Sequence, residues 1–283
     1  MIAAFIMGSS FTKEMSAKAV LLSALIWGAL LLLQPAVILA LVPWLVLLHF
    51  SSQISNRHKI ALGLLPILLV TPWIVRNFVV FKRPVFIRDN FGKELANSNN
   101  PCASALFEIN RRTGCFASSD PNLSYEEAEK VRALGEPEYN RIRLREAVAW
   151  IRTNPGKFLD LSARRFGAFW FPPFSLEQSE GELSRPWILY AFTLASIPGL
   201  FVMWRKARPA AYVIGLWLLF FPLIFYFLQF LGRYRWPILW ATFLPGSYLI
   251  PELGATHFVE KNFRSKSPAR KPGRKSGAYK RDS

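Results

Sequence analysis

Ile60-Ala-Leu-Gly-Leu-Leu-Pro-Ile-Leu-Leu-Val-Thr-Pro-Trp-Ile-Val75 decides the fold. Its sixteen residues carry no formal charge, and Arg57-His58-Lys59 and Arg76 bound it on either side. At about 1.5 Å of helical rise per residue, such a run covers most of a hydrocarbon core about 30 Å thick. Ala19–Asn56 is uncharged over 38 residues, and Pro186–Trp204, Pro209–Gly232 and Trp236–Pro251 are uncharged as well. The 38-residue run is long enough for two short spans, with Gln34-Pro35 as the natural place to reverse. Backbone groups in lipid must be satisfied within their own segment, which selects helices over an open sheet. The sequence therefore predicts an all-α integral membrane protein. It is a bundle of about six transmembrane helices, or five if Ala19–Asn56 crosses once, with a mainly helical extracytoplasmic insert.

Composition agrees. The chain has 283 residues, 52% hydrophobic, 15% aromatic and only 19% charged, against about a quarter charged in soluble domains. Two cysteines exclude a disulfide-dense scaffold and a four-cysteine zinc site, and three scattered histidines leave little for a metal centre. No phosphate-binding P-loop, dinucleotide fingerprint, H-E-x-x-H or G-x-S-x-G is present. His49, His58 and His257 lie at or near predicted cytoplasmic ends of the spans.

The net charge of +17 suggests nucleic acid, but its distribution argues otherwise. Arg76 to Arg185 holds 17 basic and 14 acidic residues, an ordinary hydrophilic balance. The remaining excess lies in short connectors and in the tail, where Lys261–Ser283 carries nine Lys/Arg against Asp282 alone. Short basic loops set orientation by staying in the cytoplasm. The tail, Arg205-Lys206-Ala207-Arg208 and Arg57-His58-Lys59 are thus predicted cytoplasmic. The resulting divisions are 1–76 with three spans, 77–185 outside, 186–251 with three spans, and a basic disordered tail over 252–283 that contacts anionic lipid. The apolar Met1–Met7 lacks the basic flank of a signal peptide and reads as the end of a helix begun earlier.

Within the insert, twelve residues lie between Cys102 and Cys115. Outside the cytoplasm this spacing favours a disulfide, two buried thiols being the alternative. Ser124-Tyr-Glu-Glu127 is a capping box and predicts a helix to about Thr153, with a candidate break at Gly135-Glu-Pro137. Asn154-Pro155 predicts a second helix, asparagine capping it and proline in its first turn. Phe158, Leu159, Ser162, Phe166, Phe169 and Trp170 mark one side, flanked by Lys157, Arg164 and Arg165. That composition suits a helix lying in the membrane interface, or one packed on the insert. Arg141, Arg143 and Arg145 read as a solvated face.

Arg76-Asn77 and the Arg233 and Arg235 loop stand where outer segments meet spans, positions suited to a lipid phosphate or to simple interfacial anchoring. Asp89, Glu94 and Asp160 are the carboxylates nearest those entries and are candidates for a base or metal ligand, surface carboxylates being the plainer reading.

The order of motifs resembles the GT-C superfamily, more narrowly the bacterial relatives of dolichyl-phosphate-mannose protein mannosyltransferases and lipid A aminoarabinose transferases. The resemblance rests on Thr71-Pro-Trp-Ile-Val-Arg-Asn77, Arg88-Asp-Asn-Phe-Gly-Lys-Glu94, Asn97-Ser-Asn-Asn-Pro101, Arg145 to Phe158, Gly232-Arg-Tyr-Arg-Trp-Pro237 and Leu32-Leu-Gln-Pro-Ala36. It covers most of Ser16 to Pro251. It implies a membrane glycosyltransferase of the bacterial inner membrane that passes a sugar from a polyprenyl-phosphate donor to a protein, lipid or glycan on the outer face. It implies donor phosphate or sugar binding by Arg76, Asn77, Asn90, Asn100, Arg233, Tyr234 and Arg235, and leaves the divalent-metal requirement open. The family carries its catalytic carboxylate in a first outer loop. Glu14 is the only acid here before Asp89, so the resemblance assigns no catalytic residue and implies the C-terminal portion of a longer enzyme. An O-antigen ligase or polymerase-like enzyme and a non-catalytic membrane protein are the alternatives.

Overall fold

A computed structural model describes residues 15–50, 54–173 and 186–249, and these are helical, with one isolated parallel bridge between Leu106 and Phe230. The Met1–Met7 stretch, Glu14, the end of the insert over 174–185 and the basic tail lie outside the described residues.

The first apolar run forms α1 (Ala17–Leu33), a 3-10 turn over Pro35–Val37 and α2 (Ile38–His49). Ser16 starts α1, its Oγ accepting from the Ala19 N–H at 3.3 Å. Trp27 and Trp44 have ring centroids 5.4 Å apart. A continuous helix would separate residues at this spacing by about 25 Å, so the chain folds back at Gln34-Pro35. Trp27 also stacks on Trp217 at 5.9 Å, and this aromatic group occupies the centre of the bundle.

Among the described residues, α3 (Asn56–Phe81) is the longest of three helices long and apolar enough to cross a membrane; the others are Trp187–Lys206 and Arg208–Tyr226. Ile60, Leu64 and Leu68, four residues apart, are 55–61% exposed on α3. A row of bare aliphatic side chains along one helix face suits lipid rather than water. The sequence places Arg76-Asn77 at the end of this span. The helix instead runs to Phe81, because Lys82 adopts a left-handed conformation (φ 52°) and returns its N–H to Phe78 O at 2.9 Å.

The insert comprises α4 (Phe91–Ser98), α5 (Phe107–Arg112), α6 (Tyr125–Leu134), α7 (Glu136–Thr153) and α8 (Pro155–Trp170). The capping box forms on one side, Ser124 Oγ accepting from Glu127 N–H at 3.3 Å, and the candidate break falls at Gly135 (φ 75°). Asn154 does not cap α8. Its Nδ2 turns back to Trp150 O and Thr153 Oγ1 and closes α7, while Pro155 takes the first turn of α8. Cys102 and Cys115 are joined in a disulfide.

α9 (Pro186–Lys206) and α10 (Arg208–Phe220) follow. The uncharged run to Gly232 is not one helix. Pro222 lacks the N–H that would continue the ladder, so the chain tightens into a 3-10 segment, Phe221–Tyr226, and then extends. Phe230 N–H donates to Ala105 O at 2.8 Å and Phe230 O accepts from Phe107 N–H at 3.1 Å. The end of the expected span is thus a strand-like strip inside the insert. Residues 239–249 form the last described helix, α11.

Two tethers define the ends of the bundle. Arg88 Nη2 donates to Leu33 O at 3.2 Å, placing the Gln34-Pro35 turn beside the insert. Lys59 Nζ donates to His49 O at 2.8 Å, pairing the opposite ends of α2 and α3.

Gly199 allows α9 to meet α11 backbone to backbone: a Cβ there would stand 2.0 Å from Pro245 O. Small residues permit such approach between apolar helices. Gly199→Ala is expected to destabilise the protein by about 1–3 kcal/mol or more. Gly63→Ala, where a Cβ meets nothing within 4 Å, is expected to leave stability unchanged or slightly raised. Thermal unfolding of the detergent-solubilised chain measures both.

Candidate functional site

The junction between insert and bundle is built around two buried arginines. Arg165 on α8 is 0% exposed, and Arg235 in the 232–238 loop is 2% exposed. Arg165 Nη1 donates to Asn99 Oδ1 and to Phe227 O, each at 3.0 Å, and Nη2 donates to Ser98 O. Asn99 Nδ2 in turn donates to Leu95 O and Phe227 O, each at 2.9 Å. Ser98 Oγ accepts from Gln229 N–H at 2.8 Å, and Gln229 Oε1 accepts from Asn110 Nδ2 at 2.7 Å. This network clamps the strip after α10 between α4, α5 and α8.

Arg235 has a similar role one loop later. Nη1 donates to Trp170 O at 2.8 Å, and Nη2 reaches Thr193 Oγ1 and Leu189 O. It ties the loop to the end of α8 and the start of α9. Burial pulls both guanidinium groups down to about 10, which leaves them protonated at neutral pH. Their Nη donors meet carbonyl, amide and hydroxyl oxygens, the acceptors a buried cation requires, while the Nε of each is buried without a partner among the described residues.

Several sequence candidates therefore have structural roles. Arg235, expected on a lipid phosphate, faces inward because its donors hold the bundle. Asn77 is 2% exposed, and its Nδ2 donates to Val85 O and Ile87 O at 3.4 and 3.3 Å. Trp73 Nε1 adds a bond to Ile87 O, so the pair latches the segment after α3 back onto the helix. Arg76 lies 5.2 Å over the Trp73 ring and donates to Asn77 Oδ1 at 3.0 Å. Asn100 Nδ2 donates to Ala96 O, and its Oδ1 accepts from Cys102 N–H at 3.1 Å, which closes α4 against the disulfide loop. Asn90 is exposed at the start of α4. Asp160 is paired with its neighbour Arg164 at 2.9 Å.

Lys93, Glu94, Arg233 and Tyr234 make a different neighbourhood, and it stays open to solvent. Lys93 and Glu94 open α4, held there by Asn140, whose Oδ1 accepts from Lys93 N–H at 3.1 Å. The side chains of Lys93 and Glu94 are 19% and 25% exposed. Lys93 Nζ stands 3.8 Å from Glu94 Oε1 and 3.2 Å from Asp120 Oδ2. Burial pushes the Glu94 carboxyl above its ordinary value; Asp120 adds to the rise, while Lys93 and Arg233 oppose it. Arg233 is exposed. Tyr234 stacks on Phe225 at 4.7 Å, and burial pushes its phenol up to about 12, with Glu94 adding to the rise and Arg233, hydrogen-bonded to it, opposing. Two cations and a phenol thus share one partly buried patch with two carboxylates.

Sequence reading placed Arg233 and Tyr234 in this region and set Glu94 among the carboxylates near the membrane. It missed Lys93, Asn99, Gln229 and Arg165. The missing signal for Arg165 was spacing: Leu161, Arg165, Ala168 and Phe169 are the buried side of α8, about a quarter of a helix turn from the expected stripe, with which it shares Phe169. Leu159 and Phe166 are 66% and 51% exposed. Arg143 is also less solvated than expected, at 17% side-chain exposure between Glu146 and Asn97. Among the described residues, no three His, Cys, Asp or Glu side chains gather closely enough to hold a metal ion. Comparison with family models, curated proteins and solved structures finds no match.

Replacing Arg165 by Met is expected to cost about 2–5 kcal/mol, since it strands Ser98 O and Asn99 Oδ1 in the core at about 1–3 kcal/mol each, while Phe227 O keeps its bond from Asn99 Nδ2. Arg164→Met, at a 69% exposed side chain, is expected to change stability by about 0.5 kcal/mol or less. Thermal unfolding of the two variants in one detergent makes the comparison.

Proposed function

We propose that the chain is part or all of a GT-C-like glycosyltransferase of the bacterial inner membrane. It takes a sugar from a polyprenyl-phosphate donor at the outer face and passes it to a protein, lipid or glycan acceptor. About six spans carry it, the α1/α2 pair and α11 completing the three longer apolar helices. The insert and the Gln34 and Arg233 turns lie outside, while Lys59, Lys206 and the C-terminal tail are cytoplasmic, following the basic connectors.

The observation that carries the reading is the Lys93, Arg233 and Tyr234 group. It sits where the insert meets the ends of apolar helices, so a lipid-borne phosphate reaches it with its chain still in the bilayer. Arginine and lysine bind phosphate through charge-assisted hydrogen bonds. Arg165 and Arg235 support the reading indirectly, because they fix the loop that presents Arg233. Stabilising a departing phosphate is the largest electrostatic requirement of such a transfer. Exposed Leu159 and Phe166 on α8, beside Arg164, suit contact with the interface.

The test uses the purified full chain in nanodiscs with a radiolabelled polyprenyl-phosphate sugar. Retention of donor by the wild type, and about tenfold or greater weakening in Arg233→Ala, is expected from the loss of one charged phosphate contact. A folded wild type that retains no donor, or an Arg233→Ala variant that retains it equally, contradicts the proposal.

A further inference from the structure

The charges around Glu94 define what the patch can bind. From α4 come Lys93 and Glu94, from the segment before α6 comes Asp120, and from the 232–234 turn come Arg233 and Tyr234. α7 contributes Asn140 against Lys93 and Arg143 one turn along, reaching Asn97 at 3.5 Å. Asp120 is fixed in place by the Asn122 N–H at 2.9 Å, Asn122 Nδ2 at 2.7 Å, Asn97 Nδ2 at 3.3 Å and Lys93. Glu94, half-buried, differs from the buried acids. Glu108 lies within 2.9 Å of both Arg111 and Arg112, and Glu127 holds Lys130 at 2.8 Å and the Tyr139 hydroxyl at 2.6 Å. The ion-pair partner of Glu94 stands at 3.8 Å and is already engaged by Asp120.

With both acids ionised, and Arg143 offset by Glu146 at 2.7 Å, Lys93 and Arg233 are balanced and the patch has no net charge to offer an anion. With Glu94 neutral it carries a single positive charge. A phosphodiester carries a single negative charge, and a half-buried site favours matched charges because the interaction is weakly screened. We propose that Lys93, Arg233 and Tyr234 bind a phosphodiester monoanion, and that Glu94 takes up a proton as the anion enters. The proton comes from solvent and returns to it on release, and no covalent bond changes. The phosphodiester source is a polyprenyl-phosphate sugar or a bilayer phospholipid. The first rests on the function proposed above; the second does not.

Linkage fixes the sign. Binding selects protonated Glu94, so affinity is greatest at acid pH and falls as pH rises through the Glu94 titration, by up to about tenfold per unit. His49 and His58 lie at the other end of the bundle and are remote from the patch.

Isothermal titration of the full chain in detergent tests this, using a short-chain polyprenyl-phosphate sugar, a short-chain phosphatidylglycerol and inorganic phosphate as probes. Each is titrated in two buffers of different ionisation enthalpy between about pH 5 and 8, which counts the protons exchanged. The wild type is expected to take up close to one proton per phosphodiester bound above the Glu94 titration. Glu94→Gln, with the wild-type melting profile as its folding control, is expected to bind without proton uptake and with affinity flat in pH. Uptake with the glycosyl phosphodiester supports both proposals. Uptake with phosphatidylglycerol alone keeps this site and removes the transferase reading. Binding without proton uptake in the wild type, an unchanged pH slope in Glu94→Gln, tighter binding of inorganic phosphate than of either diester, or no binding at all overturns the inference. The wild-type proton count stands even if the variant fails to fold.

Discussion

The burial of Arg165 is the constraint on which the rest depends. A guanidinium excluded from water must place its N–H groups on acceptors or the fold loses several kcal/mol. The acceptors here are Ser98 O, Asn99 Oδ1 and Phe227 O, which belong to the end of α4 and to the strip after α10. One side chain from the insert therefore fixes both the insert and the chain leaving the bundle. Gln229 and Asn110 extend the same network to α5. The strip cannot rejoin a helix without abandoning those bonds, and Pro222 has already interrupted the ladder that would draw it back.

This arrangement gives the outer patch its shape. Arg235 fastens the loop to α8 and α9 from within, which leaves its neighbour Arg233 facing outward. Asn140 holds the first turn of α4 through Lys93 N–H, and Gly92 permits that approach, since a Cβ there would stand 2.0 Å from Asn140 O. Asp120, held by its asparagine neighbours, restrains Lys93. The patch therefore joins rigidly held elements, the usual requirement for a site of defined geometry.

Much of this was legible in the sequence. Uncharged runs located the apolar helices, Gln34-Pro35 located a reversal, and Ser124 and Gly135 located a start and a break. What was not legible depended on tertiary contacts. The end of α3 depends on a left-handed Lys82, a conformation no composition signal announces for lysine. The run to Gly232 looks uniformly apolar except for Gln229, and that glutamine was the clue that the strip leaves the helix for a polar network. Arg165 and Arg235 read as flanking or anchoring cations because long basic side chains usually reach water. Their burial follows from carbonyls contributed by segments distant in sequence. Asn77 and Asn100 carry the family resemblance, yet their side chains are engaged by local backbone.

Hydrogen exchange on the nanodisc-embedded chain tests the central claim most directly, read at the Gln229 and Phe230 amides. If Arg165 clamps the strip into the insert, these amides exchange as slowly as those of α8, because each donates to a buried acceptor. Exchange at the rate of an exposed loop, with α8 itself protected, would show that the strip is not held there and that the outer patch lacks its support.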